Sequence, residues 1–228
     1  MDLQQEQQQW WIRWQEGRIG FHLPEVNPLL IRHLHSLATD THPNERSCIL
    51  VPLCGKSKDL IWLQSHFHKV IGVELVPQAV EAFFAENQIT PTYSLRDSFA
   101  TYLHGNLALL QGDIFQMSSK YLEDHPIQAI FDRASLIALP DKLRKNYVAL
   151  LRSLGSSNTK LLLVTLAYEE GMISGPPHSI PENKIFELFA FATNIELLEK
   201  QDILPKSPNF QKAGLCWAYE AVYLITFP

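Results

Sequence analysis

Short apolar runs alternate with segments of helical period along most of this chain. Cys48-Ile49-Leu50-Val51-Pro52-Leu53 is an apolar run that stops at Gly55 and a polar turn, and apolar positions then recur at Leu60, Trp62 and Leu63. That order predicts strand, turn, helix. The alternation repeats at 70–74, a predicted strand, and at 77–84, a predicted helix with Pro77 in its first turn, where the missing N–H costs nothing. Further strands are predicted at 107–110, 129–131 and 161–166, with a helix over 141–154 between the last two. Residues 89–102 break the pattern and predict an insertion. The end of the chain differs: 194–198 and 218–225 read as strands joined by a loop containing Pro205 and Pro208, a C-terminal antiparallel hairpin. Strands alternating with helices predict an α/β fold with a mostly parallel sheet and helices on both faces. Near the start, Trp10 and Trp14 are four apart and share one face of a predicted helix ending near Gly17 or Gly20.

Composition narrows the class. With 228 residues, 46% hydrophobic and 19% charged, the chain carries enough apolar material for one core, and no internal repeat or Gly/Ser linker divides it, so residues 1–228 are read as a single domain. Nineteen Lys and Arg against 24 Asp and Glu give a formal charge of -5, which argues against a nucleic-acid partner. Cys48, Cys54 and Cys216 show no Cys-x-x-Cys spacing, which excludes a disulfide framework or structural zinc and suits a reducing compartment. A positive leader and a membrane-length apolar run are both missing, so the expectation is a cytoplasmic protein with no membrane partner. The histidine pairs His33/His35 and His66/His68 have a spacing that does not put ligands on one helix face, and no metal site is expected.

In open α/β sheets ligands bind beyond the carboxyl ends of the strands, so the residues at the strand-to-turn junctions carry the chemistry. Four junctions stand out: Leu53-Cys54-Gly55, Glu74, Asp113 and Asp132-Arg133. Glu74 follows Gly55 by 19 residues, close to the ~20-residue separation at which an acidic side chain meets ribose hydroxyls. A dinucleotide fingerprint needs three glycines at the turn, and here Gly55 stands alone. Gly55-Lys56-Ser57 also fails as a phosphate loop, because Leu50 occupies the place of that motif's first glycine. A nucleoside cofactor without phosphates points to S-adenosylmethionine. Blander readings compete at each position: Glu74 as a solvated strand end, Asp132-Arg133 as a surface ion pair, and the Trp10/Trp14 pair as core packing.

The motifs Trp10-x-x-x-Trp14 through Gly17 to Phe21-His22, Val51-Pro52-Leu53-Cys54-Gly55-Lys56, Gly72-Val73-Glu74, Gly112-Asp113-Ile114-Phe115, Asp132-Arg133-Ala134-Ser135-Leu136 and Gly175-Pro176-Pro177 run in order along nearly the whole chain. Together they resemble the thiopurine S-methyltransferase family, in its bacterial form. The resemblance implies a class I S-adenosylmethionine-dependent methyltransferase with a Rossmann-like, seven-stranded sheet. It implies a monomer that methylates the sulfur of aromatic or heterocyclic thiols in detoxification, releasing S-adenosylhomocysteine and needing no metal. Carried over by position, it makes Trp10, Leu53, Glu74 and Arg133 cofactor contacts and puts Asp113 and Ile114 at the adenine. Trp14 joins a cofactor-covering segment over residues 1–22, and Phe21 stands between cofactor and acceptor. Gly55 completes the cofactor set as the bend, and Arg133 doubles as the catalytic residue that favours an anionic acceptor. Bacterial relatives also methylate selenium and tellurium compounds. Vertebrate members carry a second arginine in the C-terminal loop, whereas this chain has no arginine after Arg152, leaving Lys206 or Lys212. Rival readings are a methyltransferase for another small acceptor, a non-catalytic S-adenosylmethionine-binding regulatory module, and a nicotinamide dehydrogenase.

Overall fold

The apolar run at 48–53 forms β1 (Cys48–Val51), buried along its whole length, as a strand covered on both faces requires. The computed structural model describes residues 3–37, 47–122 and 125–228. The chain divides into two compact units, Met1–Arg32 with Asp40–His125, and His33–Thr39 with Pro126–Pro228.

In the first unit, β2 (Lys69–Glu74) pairs in parallel with β1 and with β5 (Leu107–Gln111), Glu74 lying opposite Gln111. The insertion expected at 89–102 is an antiparallel hairpin, β3 (Thr92–Arg96) and β4 (Phe99–His104), and β4 adds antiparallel to β5. The order is β3-β4-β5-β2-β1. β3 is exposed throughout, the mark of an edge strand. This hairpin brings the described strands to nine rather than the seven of the expectation, because a polar, alternating segment pairs as readily as an apolar one once β5 offers it an edge. Helix α3 (Asp59–Leu63) and helix α4 (Pro77–Glu86) follow β1 and β2, with Leu60, Leu63, Ala79, Val80, Phe83 and Phe84 buried. Helix α1 (Leu3–Gln15) buries none of its residues. It ends where expected: Gly17 is left-handed at φ 67, and the N–H groups of Gly17 and Arg18 close onto the carbonyls of Trp14 and Arg13.

In the second unit, β6 (Ile127–Arg133) pairs in parallel with β7 (Gly155–Tyr168), reached through α5 (Asp141–Leu154), whose ends match the expected helix. The C-terminal hairpin is present as β8 (Asn194–Asp202) and β9 (Ala218–Thr226), antiparallel to each other and joined to β7 through β9. The order is β6-β7-β9-β8. Three helices were not foreseen: α2 (Pro28–Leu37), α6 (Glu182–Leu188) and α7 (Pro208–Lys212). No described helix is long and apolar enough to cross a membrane.

Gly112 sits where β5 turns away, and its N–H donates to the Glu74 carbonyl at 2.9 Å. A Cβ there would lie 2.6 Å from Phe99 Cδ1 and 2.8 Å from the Ser98 carbonyl. A ring can rotate, but the carbonyl is backbone and must move. We therefore expect Gly112→Ala to cost about 1–3 kcal/mol of stability, measured as a lowered urea midpoint with unchanged slope. An unchanged midpoint would refute the close approach.

Candidate active site

The junction after β1 is shaped by two left-handed residues, Leu53 at φ 45 and Gly55 at φ 55. For leucine that conformation costs about 1–2 kcal/mol, and such strain persists only where surrounding contacts enforce it. The enforcing contact is Glu74. Its Oε2 accepts the Gly55 N–H at 2.9 Å and its Oε1 accepts the Val76 N–H at 2.7 Å, so one carboxylate fixes the bend after β1 and the start of α4. Glu74 is 6% exposed. Burial pushes it up to about 7, while the N–H groups of Val76, Gly55 and Leu75 favour its ionised form. Each oxygen has a second acceptor direction beyond its backbone partner.

Aromatic rings lie over the bend. Trp14 and Phe21 carbons would be 3.4 and 3.6 Å from a Cβ on Gly55, ordinary contact distance, so both rings lie directly over the bend. Phe21 meets Trp10 and Trp14 edge-on at 5.9 and 6.1 Å, and the Arg13 guanidinium lies 5.6 Å from the Trp10 ring centre. All three aromatic residues are half-buried. The N-terminal segment is tied down by Asp59, whose Oδ1 accepts the Asn27 N–H at 2.7 Å and whose Oδ2 accepts the Ser57 hydroxyl at 2.7 Å. Asp113 follows β5 and turns its carboxylate onto the Phe115 N–H at 3.0 Å. Ile114 beside it is 2% exposed. Lys56, the cation nearest in sequence to the bend, bonds Glu86 through Nζ at 2.5 Å.

Arg133 lies in the second unit at the end of β6, followed by Ala134 at φ 69. Here too a buried carboxylate holds the junction. Asp132 accepts the N–H groups of Ser135 and Leu136 at 3.1 and 3.2 Å and the Tyr147 hydroxyl at 2.7 Å. Burial lifts it to about 6 against those donors. Asp132-Arg133 is therefore not a surface ion pair: Asp132 is fully buried and Arg133 half-buried. Lys206 and Lys212 lie exposed, in the 3-10 turn Leu204–Lys206 and in α7.

The model of the thiopurine S-methyltransferase family matches residues 5–227. A thiopurine S-methyltransferase of Pseudomonas paraeruginosa is 42% identical over 216 residues, covering 95% of this chain and 96% of that protein. One from Vibrio atlanticus is 42% identical over 217 residues, covering 95% of each chain. The chain belongs to the thiopurine S-methyltransferase family. Among solved structures, a SAM-dependent methyltransferase from Anabaena variabilis superposes with a TM-score of 0.65 at 13% identity, covering 97% of this chain and 95% of that one. Another, from Methanosarcina mazei, gives 0.59 at 14% identity, covering 89% and 98%. These likenesses show the class I, Rossmann-like fold, and family membership makes the chain an S-adenosylmethionine-dependent methyltransferase.

The first unit of this thiopurine S-methyltransferase family member suits that cofactor chemically. Glu74 offers two acceptor oxygens to vicinal hydroxyls, aromatic rings flank the bend, and the adjacent lysine is directed to Glu86 rather than presented to a phosphate. Among the described residues no group of three or more His, Cys, Asp or Glu is placed to hold a metal. The structure brings together Trp14, Phe21, Gly55 and Glu74, with Trp10 against Phe21 and Leu53 inside the same bend. Gly112, bonded to the Glu74 carbonyl, puts Asp113 and Ile114 one and two residues on. The sequence reading missed Asp59 and Tyr147. Asn27-Pro28, a capping residue followed by proline, was a legible signal for α2, and the Asn27 side chain does cap it through the Leu29 N–H at 2.8 Å. Nothing in the sequence marked Tyr147 as the partner of Asp132.

With its folded-state value above its ordinary 4.5, Glu74 adds native stability that is complete below 4.5 and lost as pH rises through about 7. Glu74→Gln lacks that loss. The stability of wild type minus variant should fall by about 2–3 kcal/mol between roughly pH 5 and 8, measured by urea unfolding across that range. A difference flat in pH would show that Glu74 ionises normally.

Proposed function

We propose that this chain transfers the methyl group of S-adenosylmethionine to the sulfur of aromatic or heterocyclic thiols such as 6-mercaptopurine, by direct in-line attack of the thiolate. The observation that carries the reading is the buried Glu74 carboxylate bridging Gly55 and Val76, with Trp14 and Phe21 over the same bend. The 42% identity to proteins named for that activity supports the acceptor class. A family match unbroken from 5 to 227 supports reading residues 1–228 as a single methyltransferase domain. Residues 1 and 2 of the proposed covering segment lie outside the described residues. The enzyme is proposed to act as a cytoplasmic monomer in detoxification, with a small-molecule thiol as its partner.

S-adenosylmethionine, when bound, supplies an electrophilic methyl group on a positively charged sulfur. Glu74 accepts hydrogen bonds from the ribose hydroxyls, and Leu53 and Gly55 provide the backbone bend on which the nucleoside rests. Asp113 and Ile114 flank the adenine. Trp10, Trp14 and Phe21 exclude water, which favours a reaction between a cation and an anion because both charges disappear along the path. Arg133 favours the anionic form of the acceptor and orients it. A heterocyclic thiol is acidic enough to arrive as thiolate, so the chain needs no general base.

Two outcomes test these roles. Glu74→Ala should weaken S-adenosylhomocysteine binding at least tenfold, about 1.4 kcal/mol, the loss of one or two charge-assisted hydrogen bonds; unchanged affinity by titration calorimetry would remove the ribose role. Arg133→Ala should lower turnover on 6-mercaptopurine by about tenfold or more while circular dichroism shows the fold retained. Wild-type turnover in that variant would free Arg133 of its part. Selenite and tellurite in the same assay separate the acceptor classes: transfer to those and to no thiol would overturn the thiol reading.

A further inference from the structure

In the second unit the strand register lines up a row of side chains around Arg133. Arg133 pairs with Val164 on β7, Val164 with Val222 on β9, and Val222 with Glu199 on β8. Two pairs further along, Leu166 lies opposite Glu220, and Glu220 opposite Gln201. Partners in register, and residues two apart on a strand, point to the same face of a sheet. Arg133, Glu220 and Glu199 therefore share a face. Glu220 is displaced from Arg133 toward the carboxyl ends of β6 and β7, the edge from which ligands approach an α/β sheet.

Charge is concentrated on that face. Arg133, Glu199 and Glu220 are all half-buried. Glu199 is bonded to Nε2 of His33 at 2.8 Å, a contact between α2 and β8. Burial pushes Glu220 above the usual carboxylate range, Arg133 pulls it back and Glu199 pushes it further up. Glu220 therefore feels both Arg133 and Glu199, and a ligand reaching Arg133 along this face also meets the carboxylate nearer the edge.

We propose that Glu220 is a specificity-determining residue for the acceptor: on the same face as Arg133 and nearer the ligand edge, it admits the single negative charge of a thiolate and rejects acceptors that bring a second. The inference rests on the thiol-methylating reading and deepens it. Arg133 alone would attract any anion, and a dianion most. With Glu220 on its edge side, an extra carboxylate on the acceptor meets a like charge before the guanidinium can compensate it, at a separation where burial limits screening.

The probes are 4-mercaptobenzoate and 4-methylbenzenethiol, which are alike in shape and differ by one charge at the far end of the ring. Wild type should favour the methyl compound. Glu220→Gln should raise the ratio of kcat/KM for the carboxylate over the methyl acceptor by about fivefold or more, the effect of one unit charge in a partly exposed site, with the change carried in KM of the carboxylate compound. Glu220→Asp, which keeps the charge, should hold the wild-type ratio, and Glu220→Thr, a strand-forming replacement, serves if the glutamine variant does not fold. A ratio unmoved by charge removal, or moved equally by Glu220→Asp, would overturn the assignment while leaving thiol methylation standing. No transfer to either thiol by wild type that binds S-adenosylhomocysteine would overturn both.

Discussion

A carboxylate that is 6% exposed pays heavily in lost hydration, and Glu74 recovers that cost through backbone N–H groups aimed at it, those of Gly55 and Val76 at 2.9 and 2.7 Å. This constraint shapes the first unit. The Gly55 N–H can reach Glu74 only if the chain after β1 turns sharply, which forces Leu53 and Gly55 into left-handed backbone. The Val76 N–H reaches it only if α4 begins at Pro77. Gly112 follows from the same point, since its N–H closes onto the Glu74 carbonyl and leaves no room for a side chain. Because the backbone partners occupy one direction on each oxygen, the carboxylate remains a pre-oriented acceptor that needs no rearrangement to receive hydroxyl donors.

The second unit repeats the device with a different outcome. Asp132 is also buried at a strand end, and it too holds a left-handed non-glycine residue, Ala134, in the loop that follows. Its donors include a side chain as well as backbone N–H groups, the Tyr147 hydroxyl from α5. Its acceptor capacity is spent on the protein. The charged side chain offered at this junction is the neighbouring residue, Arg133, held by a loop that Asp132 stiffens. Glu74 is held by backbone N–H groups, whereas Asp132 is held by a side-chain hydroxyl as well.

Much of the fold could be read from the sequence because it is written in contiguous apolar runs. β1, β2, β5, β6 and α5 lie where the pattern put them, α5 to the residue. The hairpin of β3 and β4 escaped because its first strand is exposed throughout and leaves no apolar signature. α2 and α6 escaped because each lies beside a proline-containing loop whose turn chemistry outweighed a short helical pattern. At the site, Gly55 and Glu74 were legible through their spacing, since a strand, a turn and a second strand have nearly fixed lengths. Asp59 and Tyr147 were not, because their partners are 32 and 15 residues away and no local pattern encodes such a contact. Trp14 and Phe21 were visible as aromatics, but that they lie over Gly55, a glycine required by its positive φ, shows only in the structure.

Electrostatics separates the site from other nucleotide-binding junctions more sharply than shape does. A polyphosphate needs cationic side chains or a cluster of backbone N–H groups directed at it. Here the two N–H groups nearest the bend point at a carboxylate, and the adjacent lysine is held by Glu86. A phosphate brought to that bend would face the Glu74 carboxylate, whereas a positively charged ligand would be attracted to it. The charges are arranged in reverse around Arg133, a cation whose field reaches Glu220, which Glu199 opposes. An enzyme that joins a cationic donor to an anionic acceptor needs opposite local potentials for its two ligands. In this chain the ends of β2 and β6 carry side chains of opposite sign, Glu74 and Arg133, which the formal charge of -5 does not by itself reveal.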